Sequence, residues 1–360
     1  MPIPEQRNLA EARGQLESWL ESQIPGAADV RVSELSTPGF TGFSNETLLF
    51  DAAWVTDGTA HDESLVARVQ PVAHSVFLEQ NFDLQYRVMR ALGESTSIPI
   101  PRMFWLEPDT SVLGSPFYVM RKIEGEVPGD NPPYTTQGWL YEASPSDQER
   151  LWWSGIDAMA DIHRGDWKEL GLEFLEQPGV GTAGLDDQIE YYGRYFEWAA
   201  NGQPHPITEA AMAWVRANRP ESDEPKTLCW GDARIGNMIF SDFRCAAVLD
   251  WEMVTLGDPV EDLGWWLFLD RHHAEGTGVP RLPGFPSHQA TIARWEERTG
   301  RRASNLEFYE VFAGLRFAVV MIRVAQLAVQ YDLMPPDTDL GTNNAVTRLL
   351  AGILDLPAPG

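Results

Sequence analysis

Apolar residues are arranged in short alternating runs before residue 125 and follow helical spacing after it. In the first part, alternation predicts β-strands at 30–35, 47–55, 65–69, 103–106 and 117–120. Asp57-Gly58 is a hairpin signal between the second and third of these strands. Helical spacing predicts helices over 5–22 and over 74–92, the second ending at Gly93.

Helical patterns dominate after residue 125. They predict helices at 147–163, 184–200, 207–218, 259–271, 287–298, 305–331 and 343–354. Only short strands around 227–250 interrupt them. The predicted fold class is therefore α+β, with a small five-stranded antiparallel sheet and one inserted helix before a larger, mostly helical part. We place the boundary near 121–126, which gives an N-terminal lobe of 1–122 and a C-terminal lobe of 123–360.

Net charge limits the class of partner. The 360 residues carry a formal charge of −26, which disfavours nucleic acid and anionic membrane surfaces. The charge would suit a cationic substrate, and an acidic solvated surface explains it equally well. The N-terminus has no apolar run typical of a signal peptide, and the apolar stretch 317–329 is too short to span a bilayer. We therefore expect a cytoplasmic protein.

Tryptophan and cysteine usage adds two expectations. The 14 Trp indicate packing of the core and of the lobe interface, or a few indoles lining a ligand pocket. Cys229 and Cys245 stand outside any Cys-x-x-Cys motif. This pattern indicates reduced thiols and no structural zinc.

Three oxygen-bearing residues lie close in sequence, Asp232 and Asn237 in one segment and Asp250 in the next. Carboxylate and amide oxygens are the hard ligands that Mg²⁺ prefers, and Mg²⁺ usually accompanies phosphate. In eukaryotic-type kinases one Asp accepts the proton of the attacking hydroxyl, and an Asn five residues later and a second Asp hold the metal ions. The same spacing predicts Asp232 as general base and Asn237 and Asp250 as metal ligands. A single such residue is more often a turn former, but all three together favour the catalytic interpretation.

A glycine-containing turn, residues 38–45, lies between the first two predicted strands. It precedes a strand rather than a helix and lacks Gly-Lys-Ser/Thr, so it is not a Walker-type loop. Its glycines let backbone N–H groups approach phosphates, and Ser44 adds a hydroxyl donor. An ordinary hairpin loop is the alternative, and the kinase-like spacing downstream favours phosphate binding.

The segment Gly-Asp258-Pro259-Val-Glu261-Asp262 predicts the start of a helix. Asp258 can cap it, Pro259 suits the first turn, and Glu261 can complete a capping box. Asp262 would then face back toward the catalytic segment and could support it.

Two histidine motifs carry no predicted chemistry. Asp161-Ile-His163-Arg-Gly-Asp166 resembles the kinase His-Arg-Asp motif superficially, but no Asn follows at the needed spacing. His163 is therefore interpreted as a buried structural residue. His272-His273 has no partner ligands nearby, which favours a surface or helix-end position over a metal site.

At these residues the chain resembles the aminoglycoside phosphotransferase and choline kinase superfamily, which has the two-lobed protein-kinase-like fold. It is most similar to the branch resembling the kinase-like domain fused to acyl-CoA dehydrogenases. The motifs are Trp-Gly-Asp-Ala-Arg-x-Gly-Asn, Val-Leu-Asp-Trp-Glu and Gly-Asp-Pro-x-x-Asp-Leu. Phe117-Tyr-Val-Met120 followed by Gly125 matches the last N-lobe strand and the hinge. The resemblance extends over roughly 30–355.

The resemblance implies a nucleotide site between the lobes. Adenine would bond to the backbone around Met120, Arg121 and Ile123. The phosphates would be contacted by the loop residues Gly39, Gly42, Phe43, Ser44 and Asn45, and by Arg68.

Three positions depart from the family pattern. Trp230 stands where the family usually has His, and Arg68 stands where most relatives have the phosphate-binding Lys. Arg keeps the charge and offers a bidentate fork, so phosphate binding should survive. The helix Glu expected to pair with that cation corresponds to Gln85, with Glu79 and Asp83 as possible substitutes. A neutral partner would hold Arg68 less tightly.

These features predict a Mg²⁺-dependent phosphotransferase that moves the γ-phosphoryl of ATP, with GTP as an alternative, to a hydroxyl of a small molecule. Glu252, Asp262 and Trp265 could hold a cationic acceptor such as an aminoglycoside. The branch resemblance points instead to hydroxyacyl or other metabolite hydroxyls. A nucleotide-binding pseudokinase with a regulatory or scaffold role is the alternative, favoured by Trp230 and Gln85 and opposed by the intact catalytic triplet.

Overall fold

Five antiparallel strands form the N-terminal sheet in the computed structural model: β1 (Ala28–Val32), β2 (Glu46–Thr56), β3 (Thr59–Val69), β4 (Met103–Glu107) and β5 (Phe117–Arg121). Their order in the sheet is β1-β2-β3-β5-β4. This strand order confirms the predicted five-stranded antiparallel sheet. The structure describes residues 7–38, 45–71, 75–79, 81–177, 182–221 and 225–360.

The β2–β3 hairpin is longer than the sequence pattern predicts. Its two turn residues, Asp57 and Gly58, both have positive φ (51° and 73°), which matches the twist of the flanking strands. The register runs from Glu46 opposite Val69 to Thr56 opposite Thr59. The predicted start of β3 at residue 65 is therefore wrong, because the polar first half of this strand is exposed and shows no apolar alternation.

Ten helices of four or more residues are present among the described residues. They are α1 (Leu9–Gln23), α2 (Phe82–Ser95), α3 (Trp139–Glu142), α4 (Pro145–Arg164), α5 (Leu185–Ala200), α6 (Pro206–Ala217), α7 (Val260–His273), α8 (His288–Thr299), α9 (Leu306–Gln330) and α10 (Ala345–Ile353). Short 3-10 turns occupy Glu173–Glu176, Ile235–Asn237 and Glu275–Thr277. The seven helices predicted after residue 125 are confirmed to within two residues, whereas α3 was not predicted.

Four short strands interrupt the helical region: β6 (Thr227–Cys229), β7 (Met238–Ser241), β8 (Arg244–Val248) and β9 (Thr255–Gly257). β6 pairs with β9, and β7 pairs with β8, both antiparallel. They frame the segment that contains the predicted catalytic residues. The division of the chain into lobes at residue 122 stays a prediction.

The predicted boundaries of α2 are wrong at both ends. The helix begins at Phe82 rather than near 74, and it continues through Gly93 to Ser95. The Phe77 ring packs edge-on against Tyr195 of α5 with the ring centroids 6.2 Å apart, and the Tyr195 hydroxyl donates to the Val76 carbonyl at 2.5 Å. The spacing of Val76 and Phe77 therefore reflects a contact between distant segments, not a helical turn.

The predicted capping box at the start of α7 is also wrong. The Asp258 side chain does accept a bond from the Val260 N–H at 3.0 Å. The Glu261 side chain does not return to the helix start, because it forms a buried ion pair with Arg316 of α9.

α9 is the central helix of the C-terminal part and packs against α5, α6, α7 and α10. Its 25 residues would by length and composition also suit a membrane span. Neighbouring helices bury 67% of its most apolar stretch, as expected for a core helix. Burial of apolar area against four helices is the main stabilising contribution that α9 can make.

The contact between α7 and α9 requires a residue without a side chain at Gly264. A Cβ there would lie 2.8 Å from the carbonyl carbon of Tyr309. We expect Gly264→Ala to lower the free energy of unfolding by about 1–3 kcal/mol, because the two helices must move apart. Gly352→Ala is the control, since a Cβ there meets nothing within 4 Å and alanine favours the helix. Urea unfolding of both variants measures the difference, and equal stabilities would contradict the close approach.

Candidate active site

Two loops carry the predicted catalytic residues side by side. Residues 230–237 follow β6, and residues 249–254 connect β8 to β9, the strand that pairs with β6. The Leu249 N–H donates to the Asn237 carbonyl at 2.9 Å and ties the two loops together. Strand pairing therefore brings Asp232 and Asp250 into one neighbourhood.

Three donors hold the carboxylate of Asp232. Asn237 Nδ2 donates to Oδ2 at 2.7 Å, and Trp265 Nε1 donates to Oδ1 at 2.8 Å. Arg234 Nε lies 3.2 Å from Oδ1. The Asp232 side chain remains 16% exposed, so it is fixed in orientation and still reachable. An ionised carboxylate has about four acceptor sites, which leaves capacity for a substrate hydroxyl.

The amide of Asn237 can serve two partners. Its Nδ2 is directed at Asp232, where it also reaches the backbone carbonyl at 3.1 Å. The Oδ1 atom is therefore the part of the amide left for a cation. An aspartate at this position would instead place a second carboxylate against Asp232 and repel it.

The second loop contains Asp250, whose Oδ1 atom is buried. Its backbone is left-handed (φ 61°), a conformation that Asp tolerates better than most residues. Its Oδ1 is buried without a hydrogen bond to any described residue. Burial, the largest influence, and Asp232 raise the pKa of the Asp250 carboxyl, whereas Arg68 and Arg234 oppose this shift. A buried anionic oxygen without a donor is destabilising until a cation or a donor completes it.

Arg68 on β3 is held by its own sheet rather than by α2. Its Nη1 donates to Thr47 Oγ1 at 2.8 Å. Burial opposes its charge, but Tyr118, Asp250 and Glu252 together raise the pKa of the guanidinium. Two of these three groups belong to the loop of residues 249–254, so Arg68 is balanced by anions from the other side of the site.

Gln85, the predicted helix partner of Arg68, reaches it only through Tyr118. The Tyr118 hydroxyl donates to Gln85 Oε1 at 3.4 Å. The suggested substitutes are engaged elsewhere, because Glu79 and Asp83 each lie within 3.8 Å of a surface arginine. Among the described residues, neither Glu79 nor a carboxylate of α2 is therefore paired with Arg68.

The predicted nucleotide loop falls largely outside the described residues, which applies to Gly39, Gly42, Phe43 and Ser44. Asn45 at its end is buried, and its Nδ2 donates to Glu252 Oε2 at 3.3 Å. This bond joins the start of β2 to the loop after Asp250.

The predicted adenine-binding segment, residues 120–123, lies at the end of β5. Met120 is buried in the sheet. The Arg121 N–H donates to the Arg102 carbonyl at 2.8 Å, and the next N–H donates to the Ser64 carbonyl at 2.8 Å. Both donors are therefore used by the sheet, which leaves the Ile123 N–H as the candidate donor of this segment.

Asp262 lies beneath the catalytic loop rather than in a substrate-binding position. The residue is 0% exposed. Its Oδ2 accepts from the Trp230 N–H at 2.6 Å and from His163 Nε2 at 2.9 Å, and its Oδ1 accepts from the Gly231 N–H at 2.8 Å. The interpretation of Asp262 as a substrate contact is therefore corrected: it supports the two residues that precede Asp232.

His163 is a buried structural residue, as the sequence predicts. Its hydrogen bonds also define its tautomer. Trp295 Nε1 donates to His163 Nδ1 at 2.9 Å. Because an indole can only donate, Nδ1 carries the lone pair and the proton sits on Nε2, facing Asp262. A neutral imidazole in this orientation is a donor to the carboxylate.

Trp230 joins the two catalytic loops. Its indole Nε1 donates to the carbonyls of Leu249 at 2.8 Å and Asp250 at 3.2 Å. The next residue, Gly231, has φ 91°, and a Cβ there would lie 1.9 Å from the Met253 carbonyl oxygen. Only glycine fits where the loops approach this closely.

A buried arginine on α9 was missed by the sequence analysis. Arg316 Nη2 donates to the Gly231 carbonyl at 2.8 Å, and Nη1 contacts Glu261. Gln188 of α5 donates to the other Glu261 oxygen at 2.7 Å. Burial, the largest influence, raises the pKa of Glu261 to about 7, although Arg316 opposes this shift. The signal was an arginine inside the most apolar helix of the chain.

Arg234 and Asp130 form a second missed pair. Arg234 Nη1 donates to Asp130 Oδ2 at 2.6 Å, and His273 Nε2 lies 3.4 Å from Asp130 Oδ1. Burial opposes ionisation of Asp130, but Arg234 and His273 hold its pKa well below the usual range. His273 is the last residue of α7 and is buried, so the predicted helix-end position is right and a surface position is not.

A cavity of about 310 Å³ lies beside the loop that follows Asp250. Glu252 and Met253 form one wall, and Gln188, Tyr191 and Tyr192 of α5 form another. Of the three predicted substrate residues, Glu252 alone lines this cavity. Trp265 is directed at Asp232 instead.

Comparison with known proteins gives the same architecture. The profile of the phosphotransferase enzyme family matches residues 42–304. Acyl-CoA dehydrogenase family member 11 from Homo sapiens is 26% identical over 281 residues, which are 74% of this chain and 34% of that protein. Its Gallus gallus counterpart is 31% identical over 259 residues, 70% of this chain and 30% of that protein. The chain thus spans about a third of the length of these relatives.

Solved structures are similar over nearly the whole chain. A provisionally assigned aminoglycoside phosphotransferase from Ralstonia eutropha is 26% identical with a TM-score of 0.68, covering 94% of this chain and 96% of that one. Aminoglycoside phosphotransferase APH(4)-Ia, in complex with AMP-PNP and hygromycin B, has a TM-score of 0.56 at 14% identity, covering 95% and 97%. A choline/ethanolamine kinase family protein from Mesorhizobium loti also has a TM-score of 0.56 at 14% identity, covering 97% of this chain and 95% of that one.

The last two similarities show the fold alone, because the identities are low. The family profile extends over more than half of the chain and confirms the resemblance seen in the catalytic motifs. The protein therefore belongs to the phosphotransferase enzyme family and has the kinase-like fold of the aminoglycoside phosphotransferases and choline kinase-like proteins.

Proposed function

We propose that this protein transfers the γ-phosphoryl group of ATP to a hydroxyl of a small molecule. One observation carries the proposal. The Asp232 carboxylate is fixed by Asn237 at 2.7 Å, and the adjacent loop contains Asp250, whose buried Oδ1 has no hydrogen-bond partner among the described residues. Phosphoryl transfer needs a base that orients the acceptor hydroxyl and, beside it, an oxygen that can bind the metal ion.

Asp232 is the proposed base. Its partly exposed carboxylate would accept a hydrogen bond from the acceptor hydroxyl, orient the oxygen for in-line attack and take the proton as the bond to phosphorus forms. The transition state is loose and asks little covalent chemistry of the protein. Most of the rate enhancement would therefore come from positioning, which the three donors to Asp232 supply.

Asn237 Oδ1 and Asp250 Oδ1 are the proposed ligands of Mg²⁺. When bound, Mg²⁺ would screen the negative charge of the phosphate oxygens. The described residues contain no cluster of three or more acidic, histidine or cysteine side chains that would form a closed metal cage. Mg²⁺ does not require one, because it is usually held by one or two carboxylates together with substrate phosphates.

Arg68 and the loop ending at Asn45 are the proposed phosphate contacts. Arg68 has the charge and the planar fork for this role. Ile123 N–H is the proposed adenine donor at the end of β5, beside Met120 and Arg121. AMP-PNP bound to APH(4)-Ia supports a nucleotide site in this fold. Use of GTP in place of ATP stays an alternative, since another neighbour, an aminoglycoside 2'-phosphotransferase, is solved with GDP.

The acceptor is proposed to be a small hydroxylated metabolite that enters beside Glu252. The 310 Å³ cavity there is large enough for a group of that size. The formal charge of −26 disfavours nucleic acid as acceptor and anionic membranes as partners. A cytoplasmic location stays a prediction.

Trp230 and Gln85 were the two features in favour of a pseudokinase, and in the structure both have a supporting role at the site. Trp230 links the catalytic loops through its indole, and Gln85 supports Tyr118 beside Arg68. Catalysis is therefore the function we propose. It is tested by an ATP-consumption screen over hydroxylated metabolites and aminoglycosides, with Asp232→Asn as control. ATP binding without transfer to any acceptor or water would support the pseudokinase instead.

Removal of the proposed base should reduce turnover while nucleotide binding persists. We expect Asp232→Asn and Asp232→Ala to lower kcat by about 10²–10⁴, the usual contribution of a general base. Initial rates of ADP formation with the acceptor found in the screen measure this effect. Wild-type rates in either variant would remove Asp232 from the mechanism.

Asp250→Asn should affect the binding of magnesium nucleotide without unfolding the protein. Asparagine keeps the shape and tolerates the left-handed backbone, and it removes the charge from a carboxylate whose Oδ1 is buried without a hydrogen bond to any described residue. The same change removes the attraction between Asp250 and Arg68, so the two effects offset each other and we expect the free energy of unfolding without ligand to change by less than about 1 kcal/mol.

The same variant should lose stabilisation by magnesium nucleotide. A ligand at about 100 times its Kd adds about 2.7 kcal/mol to a folded protein. We expect this gain in the wild type and little of it in Asp250→Asn, as measured by thermal unfolding with and without MgATP. An equal gain in both proteins would contradict the assignment of Asp250 as metal ligand.

A further inference from the structure

Trp265 makes an unusual contact for a residue of a helix interior. It lies on α7, is 3% exposed, and its Nε1 donates to Asp232 Oδ1 at 2.8 Å. An indole has no acceptor atom, so this bond exists only while Asp232 offers an oxygen lone pair. The other oxygen of Asp232 is held by Asn237.

Arg234 is a third donor, with Nε 3.2 Å from Asp232 Oδ1, and it also bonds to Asp130. Asn237 and Trp265 differ in what else they are expected to do. The Asn237 amide is shared with the proposed metal site, so its orientation depends on the ion. Trp265 has no such second task. Its bond to Asp232 comes from a different element, α7, and involves neither of the two proposed metal ligands.

The indole of Trp265 is itself firmly placed. The guanidinium of Arg316 lies 4.7 Å from its ring centroid, and the Phe317 ring lies 5.9 Å away. Arg316 in turn bonds to the Gly231 carbonyl, one residue before Asp232. The ring and the carboxylate that it holds are therefore anchored to the same arginine.

We propose that Trp265 is a positioning residue that fixes the Asp232 carboxylate for the acceptor hydroxyl, in every state of metal and nucleotide occupancy. This inference rests on the proposed role of Asp232 as base. It assigns to the indole N–H a role in turnover that packing of the ring alone does not supply. Loss of the N–H should therefore change kcat and leave nucleotide affinity in place.

The chain contains a matched control in the next residue. Trp266 is equally buried, and its ring packs edge-on against Trp152 at 5.4 Å. Its Nε1 makes no hydrogen bond to any described residue. Trp265→Phe and Trp266→Phe remove similar volumes from neighbouring positions, and only the first removes a hydrogen bond.

The kinetic test uses the full chain with MgATP and with water as the acceptor. We expect Trp265→Phe to lower kcat by about 10-fold to 100-fold, the value of a hydrogen bond to a charged group. KM and Kd for MgATP should stay within about twofold, as should all constants of Trp266→Phe. Equal losses in both variants, or a loss in Trp265→Phe that lies in nucleotide affinity, would overturn the proposal.

A spectroscopic test does not depend on activity. In heteronuclear NMR spectra of the ligand-free protein, the Trp265 indole N–H signal should move strongly upfield in Asp232→Ala, because the bond to a carboxylate is lost. The Trp266 signal should stay in place. An unmoved Trp265 signal would overturn the inference even if the enzyme is active. If the signal moves in Asp232→Ala but the wild-type protein shows no turnover, the hydrogen bond is real. The catalytic role of Trp265 is then rejected together with the proposed function.

Discussion

The buried carboxylate of Asp262 organises the catalytic half of the molecule. A charge without solvent is stable only when donors surround it, and here they are two backbone N–H groups and a neutral imidazole. Both N–H groups belong to residues directly before Asp232. The position of the proposed base is therefore set by bonds to α7, which carries Asp262, and through it to His163 of α4. Arg316 of α9 completes the support by donating to the Gly231 carbonyl.

Buried indoles act as permanent donors around this centre. Trp230 serves two backbone carbonyls, Trp265 serves a carboxylate, and Trp295 serves an imidazole nitrogen. Each bond has only one polarity, because an indole cannot accept and does not titrate in the physiological range. A histidine in place of Trp230 could change its protonation state. The high tryptophan content thus contributes fixed polarity as well as packing.

Local patterns predicted most of the fold and the three central site residues. Periodicity located the helices after residue 125, and kinase spacing singled out Asp232, Asn237 and Asp250. Contacts between distant segments were not predictable in this way. Val76 and Phe77 fit helical spacing but lie before α2, where Phe77 packs on Tyr195, and Glu261 fits a capping box but pairs with Arg316. The roles of Arg316, Asp130 and Trp265 depend on which helices meet, and that information lies in tertiary packing.

The electrostatic partners of Arg68 have a consequence for the order of binding. In the ligand-free protein this guanidinium is balanced by Asp250 and Glu252 across the cleft. Under the proposed function, the phosphates of a nucleotide without a metal ion would pair with Arg68. Asp250 and Glu252 would then face these phosphates without a counter-charge, and the like charges would repel each other. A nucleotide that arrives with its divalent counter-ion instead supplies each side with a new partner at once. Under the proposed function, the site would therefore discriminate between the free nucleotide and its complex with a divalent ion by an exchange of counter-charges, before any chemistry takes place.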